Sequence, residues 1–239
     1  MKRSLLTIIF SLYLATLLAQ YQPQATGELV EHTHYSLDYI EQHEQPQWVY
    51  YRLTSDQLKG DAERASSFKI DPKVSTRSAS SADYTNSGYD RGHLCPAADM
   101  SHSELAMRES FYMSNISPQA PKFNRGIWKS LEERVRKWCA TEGELHITTS
   151  GILSESSGTI GKSSQISIPK RYYKAIYAPK SNKMIAFILP NESSNQPLQT
   201  FAVTVDEVEA ATGIDLFPQL DDKIETKLEA TINLSLWEF

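Results

Sequence analysis

The strongest constraint on the fold is a succession of short strand-like segments, most of them in the second half of the chain. These segments are rich in β-branched and aromatic side chains, which favour β-strands. They are residues 48–54, 145–149, 165–177, 184–189 and 200–205. The last leads into a short helix that Gly213 is expected to terminate. The pattern predicts a single α+β domain with a mainly antiparallel central sheet and flanking helices.

The beginning of the chain differs from the rest. Lys2 and Arg3 precede an apolar run over residues 5–18, which is typical of a secretory signal peptide. We therefore expect a leader at residues 1–19, a domain at residues 20–239, and a secreted or periplasmic protein. An uncleaved membrane anchor is the alternative. No later run is long and apolar enough to span a membrane, so no membrane contact is expected after cleavage.

One amphipathic helix stands out in the middle of the chain. Apolar residues from Ile127 to Trp138 recur on one side, and charged residues occupy the other. Asn124 stands at the entry, where an N-cap is expected. A second, approximate helix covers residues 102–113. Residues 75–88 are rich in Ser, Ala and Asn and predict a long loop.

The net charge of −5 argues against a protein that grips nucleic acid by bulk electrostatics. If the chain acts on nucleic acid, a local basic cleft and a metal ion must supply the attraction. The composition, with 22% charged residues, otherwise fits an ordinary folded domain.

The segment Asp90-Arg91-Gly92-His93 concentrates polar chemistry at a predicted strand end. Gly92 permits a sharp turn or a close approach of the backbone. A guanidinium suits a phosphate, and an imidazole can exchange a proton near neutral pH. Asn124 and Glu132 follow on the predicted helix, about two turns apart. Because these ligands are oxygens, an ion between them would be magnesium-like, and one direct protein ligand suffices when phosphate and water complete its shell.

These motifs resemble the DNA/RNA non-specific endonuclease family of the Serratia nuclease and endonuclease G type. The resemblance rests on Asp90-Arg91-Gly92-His93, on residues 114–119, and on Asn124 with Trp128 and Glu132, and it extends over about residues 48–228. It implies a ββα-metal (His-Me finger) active site. It also implies an endonuclease that hydrolyses DNA and RNA with little sequence preference, uses one Mg²⁺ (with Mn²⁺ as a substitute), and leaves 5′-phosphate ends. The protein would be a monomer or a homodimer.

The resemblance also assigns roles to individual residues. The catalytic residues are His93, Arg91, Asn115 and Arg64, and the metal-binding residues are Asn124 directly and Glu132 and Asp90 through water. His93 would be the general base, and the two arginines would bind phosphate oxygens. Asn115 would order the hydrogen-bond network. The spacing of Arg64 from Asp71-Pro72 differs from the spacing expected for the family.

Each of these residues also has a purely structural interpretation. Asn124 could be a helix cap only. Glu132 and Arg136 are spaced i, i+4 and could pair on a solvated helix face. Asp90 and Arg91 could form a structural ion pair. The site is favoured because all of these positions coincide with the family's spacing.

Two other features offer alternative sites. His32-Thr33-His34 could bind a metal, although no third ligand is close in sequence. Cys95 could act with His93 as a nucleophile pair, but no residue to orient them is evident. A Cys95–Cys139 disulfide is disfavoured, because a continuous helix would place Cys139 about 22 Å from Asn124. Both thiols are therefore expected to be free.

Two other functions remain open from the sequence. One is a nucleic-acid-binding protein without catalysis, which the presence of both His93 and Asn124 disfavours. The other is a phosphodiesterase that uses the same metal site on a different substrate.

Overall fold

A seven-stranded antiparallel sheet forms the centre of the molecule. The computed structural model describes residues 20–239, so the predicted leader at residues 1–19 lies outside the described residues. In chain order the strands are β1 (Glu28–Glu31), β2 (Tyr35–Ile40), β3 (Gln45–Thr54), β4 (Asp90–His93), β5 (Ile116–Gln119), β6 (Glu144–Gly151), β7 (Ser156–Ile160), β8 (Ile166–Pro169), β9 (Arg171–Ala178), β10 (Lys183–Pro190) and β11 (Ala202–Val203). The central sheet has the order β1-β2-β3-β6-β9-β10-β11, and β4-β5 and β7-β8 form two small separate sheets. The predicted α+β class with a mainly antiparallel sheet is confirmed.

Within the described residues, four α-helices flank this sheet: α1 (Glu104–Ser110), α2 (Lys129–Glu142), α3 (Val205–Thr212) and α4 (Asp222–Glu229). The Thr204 side chain caps α3, and Gly213 ends it in the left-handed conformation at φ 74°, as the sequence predicted. Within residues 20–239, no helix has both the length and the apolar character that crossing a bilayer requires.

The two faces of the sheet bury different side chains because successive residues of a strand point to opposite faces. On β9, Tyr172 and Ile176 pack in the same apolar cluster as the apolar side of α2. Tyr173 and Tyr177 face the other way and pack with Val205 of α3. The strong β-branched and aromatic content of the strands follows from this double burial.

One predicted strand run proved to be two strands. The sequence predicted a strand over residues 165–177, but the chain leaves one sheet after Pro169 and enters another at Arg171. Proline lacks the N–H that a continuing ladder would use, which accounts for the break at this position.

The helix α2 has an unusual beginning. A π-helical turn over Phe123–Trp128 precedes it, with non-helical dihedral angles at Gly126. The prediction that Asn124 is an N-cap is therefore wrong: Asn124 lies inside this turn, and its side chain contacts Asp90 instead of a backbone N–H. The order β4, β5, π-helical turn and α2 gives the ββα arrangement that holds the candidate site.

Candidate active site

The hairpin of β4 and β5 places the Asp90–His93 motif beside the start of α2. Asp90 pairs with Gln119, Gly92 with Ser117 and His93 with Ile116. A Cβ atom on Gly92 would lie 2.2 Å from the buried side chain of Gln119. The hairpin therefore needs glycine at residue 92, which agrees with the predicted close approach of the backbone.

His93 lies at the end of β4 and lines a cavity. Its ring packs edge-on against Phe111, with ring centroids 4.7 Å apart, and at a tilt against Phe68, with centroids 5.5 Å apart. Its Nε2 atom is buried and has no hydrogen-bond partner among residues 20–239. Burial, together with the positive charge of Arg64, lowers the pKa of His93 to about 3. The imidazole is therefore neutral at physiological pH, which is the form that a general base requires.

Asn115 holds the turn that follows His93. Its Oδ1 accepts a hydrogen bond from the backbone N–H of Cys95 (2.8 Å), and its Nδ2 donates to the carbonyl oxygens of Cys95 and Ser110 (2.9 Å each). The side chain is fully buried behind the turn rather than in the cavity wall. This geometry fixes the backbone next to His93, which is an indirect way of ordering the site.

Asp90 orients the side chain of Asn124. The Nδ2 of Asn124 donates to Oδ2 of Asp90 at 2.9 Å, and Nε of Arg125 donates to the same oxygen at 2.8 Å. Because the amide nitrogen is fixed in this way, Oδ1 of Asn124 is the atom left to face the cavity. Both Asp90 oxygens already accept side-chain hydrogen bonds, so Asp90 acts through Asn124 and Arg125 rather than standing in the cavity wall.

Glu132 lies one helical turn into α2 and also lines the cavity. Burial raises its pKa to about 7, against the opposing attraction of Lys174. The proposed structural pair with Arg136 is not formed. Arg136 instead donates to Asp99 at 2.9 Å, and Asp99 also accepts from the Tyr51 hydroxyl at 3.1 Å.

Lys174 is a component of the site that the sequence analysis missed. It is fully buried on the sheet face below α2, and within residues 20–239 its Nζ has no hydrogen-bond partner. The ammonium group lies 4.9 Å from the ring centroid of Trp128. A lysine among the apolar and aromatic residues 172–178 of β9 was the available signal, because a lysine is almost never fully buried without a charge nearby. Here the charges are those of Glu132 and Asp99.

The side chains of this region surround a cavity of about 380 Å³. Basic residues dominate its wall: Arg64, Arg91, Arg125, Lys129 and Arg136, whereas Glu132 is the one acidic residue of the wall among those described. The local charge is therefore opposite in sign to the net charge of −5. A basic cleft of this kind is what the sequence analysis required of a protein that acts on nucleic acid.

The two predicted phosphate-binding arginines both line this cavity. The Arg64 guanidinium stacks 5.0 Å from the Phe111 ring centroid, which brings it beside His93 despite its unexpected sequence spacing. Arg91 donates to the carbonyl oxygen of Ser81, and its guanidinium contacts the rings of Phe68 and Tyr84. It forms no ion pair with Asp90, whose partner is Arg125.

The donor set fits a small hard cation. Asn124 offers a free amide oxygen and Glu132 a carboxylate, and no thiolate or second imidazole lines the cavity within the described part of the chain. Such a set suits Mg²⁺, which keeps several waters and needs few direct protein ligands.

The alternative sites are not supported. His32 bonds to Asp71 at 2.8 Å while His34 contacts His102 at 3.3 Å, so the two histidines face different partners. Cys95 is fully buried, and burial raises the pKa of its thiol well above the ordinary value, which removes it as a nucleophile. Both cysteines are free and buried, as predicted.

Several known nucleases are similar to this chain. Nuclease C1 of Cunninghamella echinulata var. echinulata is 34% identical over 83% of this chain and 86% of its own length. The mitochondrial nuclease EXOG of Danio rerio is 35% identical over 91% of this chain and 68% of its own length. A crystal structure of the EndoG/EndoGI complex, which addresses the mechanism of EndoG inhibition, is also similar to this chain. The match has a TM-score of 0.80 and 27% identity, and it covers 87% of this chain and 93% of that chain.

The predicted location of the protein is wrong. The prediction of a secreted or periplasmic protein rested on residues 1–19 alone. Many of the similar curated proteins are mitochondrial nucleases, from Danio rerio and Mus musculus to Schizosaccharomyces pombe, which contradicts it. A short local pattern is weaker evidence for the destination than similarity to mitochondrial nucleases over 77% or more of the chain.

The family itself is decided by the extent of the match. The sequence profile of the DNA/RNA non-specific endonucleases matches residues 15–223, which is most of the chain. The predicted resemblance is thereby confirmed over the region that contains the hairpin, the π-helical turn and α2. The chain belongs to the DNA/RNA non-specific endonuclease family and is a nuclease, a hydrolase of phosphodiester bonds.

Proposed function

We propose that this nuclease cleaves both DNA and RNA with little sequence preference, depends on Mg²⁺ and leaves 5′-phosphate ends. The observation that carries the proposal is that His93 and Asn124 line one basic cavity although 31 positions separate them in the sequence. The nuclease relatives and the predominantly basic wall of the cavity support a substrate recognised through its backbone rather than its bases.

The residues of the cavity divide the reaction between them. His93, neutral because its pKa is lowered by burial, takes a proton from the attacking water. Arg64 and Arg91 bind the phosphate oxygens. Asn115 acts indirectly, by fixing the turn that carries His93. Recognition of phosphate alone explains the expected lack of sequence preference.

Asn124 would hold the metal directly, through the oxygen that the Asp90 contact leaves free. Glu132 would accept hydrogen bonds from its waters, and Asp90 would keep the Asn124 amide in orientation. When bound, Mg²⁺ supplies positive charge next to the scissile phosphate and the leaving oxygen. Mn²⁺ has similar oxygen preferences and is expected to substitute.

Activity is expected to depend on pH through Glu132 rather than through His93. Without metal the pKa of Glu132 is raised to about 7, whereas that of His93 is lowered to about 3. As the pH falls through about 7, Glu132 takes up a proton and metal binding weakens, because a metal stabilises the ionised carboxylate. At limiting Mg²⁺ we expect the rate to fall near neutral pH as the solution is made more acidic. This fall, the acidic limb of the rate–pH profile, should move to lower pH as the Mg²⁺ concentration increases. Initial rates measured against pH at several Mg²⁺ concentrations test this.

Two variants sharpen the pH experiment. Glu132→Gln should lack the Mg²⁺-dependent limb. Lys174→Met keeps most of the buried stem but removes the charge that favours ionised Glu132, so its limb should move to higher pH. A limb that does not respond to Mg²⁺, or that persists in Glu132→Gln, contradicts the assignment.

The proposed function is tested by digestion of supercoiled plasmid, single-stranded DNA and RNA with Mg²⁺, with Mn²⁺ and with EDTA. Cleavage of all three nucleic acids in both metals, its loss in EDTA, and products that ligase joins without kinase treatment are the expected results. Altered mobility without cleavage would instead indicate a binding protein. Hydrolysis of a small phosphodiester with no cleavage of any nucleic acid would indicate a different phosphodiesterase.

A further inference from the structure

A second group of carboxylates lies on α3 and α4, on the other side of the central sheet from the nuclease cavity. Asp206, Glu209 and Glu229 each present an oxygen within 4.8 Å of the other two, and we call these three residues the acidic cluster. The first two lie three positions apart on α3, and Glu229 ends α4. The family match stops at residue 223, so Glu229 lies outside the matched region.

Glu229 is the unusual member of the acidic cluster. Only 5% of the residue is exposed, and its Oε1 atom is buried without a hydrogen-bond partner within the described residues. Glu225, one turn earlier on α4, also has a buried oxygen without a partner. A buried carboxylate oxygen that no donor satisfies is costly, so some group from outside the chain is expected to satisfy it.

In the part of the chain that the structure describes, no protein cation pairs with these carboxylates. Among residues 20–239, none of the salt bridges involves a member of the acidic cluster or Glu225. The only hydrogen bond that a described donor makes to a carboxylate of the acidic cluster is from the backbone N–H of Leu216 to Oε1 of Glu209, at 2.7 Å. Burial and neighbouring carboxylates raise the pKa of Glu229 to about 8. The cluster must therefore either take up protons or bind a cation.

The geometry favours the cation. Oxygens bound to one Ca²⁺ at about 2.4 Å are at most about 4.8 Å apart, and the oxygens of the acidic cluster lie within this limit. Ca²⁺ accepts mixed carboxylate, carbonyl and water ligands with flexible geometry, whereas Mg²⁺ demands a near-ideal octahedron. We propose that Asp206, Glu209 and Glu229 form a Ca²⁺ site, separate from the nuclease centre, that fastens the C-terminal helix α4 to α3.

The test uses the full chain carrying Asn124→Ala, so that metal binding at the nuclease site is strongly weakened. After EDTA treatment, at about pH 8, calorimetry should detect one Ca²⁺ per chain with a dissociation constant on the order of 10⁻⁴ M. A hundredfold excess of Ca²⁺ over that constant should raise the melting temperature by about 5–10 °C. Glu229→Gln in the same background should weaken Ca²⁺ binding at least about tenfold and remove most of this shift.

Glu229→Gln preserves the size of the side chain and relieves repulsion, so it should melt at least as high as its parent in EDTA. Glu192→Gln, an exposed residue outside the acidic cluster, is the matched control and should retain the full Ca²⁺ shift. The proposal is overturned if Ca²⁺ produces no shift in the parent, or if the shift survives in Glu229→Gln. A higher melting temperature of Glu229→Gln in EDTA without any Ca²⁺ effect would mean that the cluster takes up protons instead. Activity of Glu229→Gln in an otherwise unchanged chain should be normal with Mg²⁺.

Discussion

Replacing His93 by Ala is expected to reduce nucleic acid cleavage by about 10³-fold, within the roughly 10²- to 10⁴-fold range of a lost general base. No other described imidazole lines the cavity, so no other histidine can accept the proton from the attacking water. The fold should survive, because His93 is the last residue of a short strand and its Nε2 atom makes no hydrogen bond within the described chain. Initial rates on plasmid DNA at saturating Mg²⁺, together with a thermal melt, measure both quantities.

A matched control for this experiment is His34→Ala. His34 contacts His102 and does not line the cavity, so its removal should leave the rate nearly unchanged. Mg²⁺ affinity should also be unaffected by His93→Ala, because the imidazole is not among the proposed metal ligands. Cleavage by His93→Ala at near the original rate would show that a different group activates the water.

Replacing Asn124 by Ala is expected to reduce cleavage at physiological Mg²⁺ by at least as much as His93→Ala does, because it removes the proposed direct metal ligand. Metal affinity should fall by more than the roughly 10- to 100-fold loss that follows removal of an outer partner of a ligand. Mn²⁺ binding, measured by calorimetry or by the electron paramagnetic resonance signal of Mn²⁺, gives the metal affinity without relying on turnover. Partial rescue of the rate at high metal concentration is expected, since His93 remains in place.

Asp90→Asn and Arg125→Ala test which residue keeps the Asn124 side chain in the orientation that binds metal. The Asp90 carboxylate accepts from the Asn124 amide, so Asp90→Asn should weaken metal binding by about 10- to 100-fold. Arg125 contacts the same carboxylate, but its side chain is 72% exposed, and an exposed ion pair contributes little. Arg125→Ala should therefore have a much smaller effect on metal affinity. Equal effects of Asp90→Asn and Arg125→Ala would contradict the proposal that Asp90 acts by orienting Asn124.

The resemblance and the local patterns predicted much of this molecule. The α+β class followed from the strand-like runs, and the end of α3 followed from Gly213, whose left-handed conformation suits glycine. The Asp90–His93 motif located the hairpin, and the spacing to Asn124 located the turn before α2. Such features depend on residues close in sequence, so they can be read without knowledge of the fold.

Other predictions failed because the outcome depended on more than local pattern. Asn124 looked like a helix cap, but the π-helical turn around Gly126 carries its side chain to Asp90, 34 positions earlier. The leader pattern did not determine the destination of the protein, because it involves only a short segment, and the similarity to mitochondrial nucleases contradicts it.

The tertiary structure alone decided the electrostatics of the site. Arg64 enters the cavity by stacking on Phe111, and Arg136 turns from Glu132 to Asp99. Lys174 is brought under Glu132 from a strand 42 positions further on. Sequence by itself determined which groups the chain carries and which local elements hold them. Only the packing of the sheet against α2 decided which charges meet, because pKa values and cavity charge depend on burial and on neighbours distant in sequence.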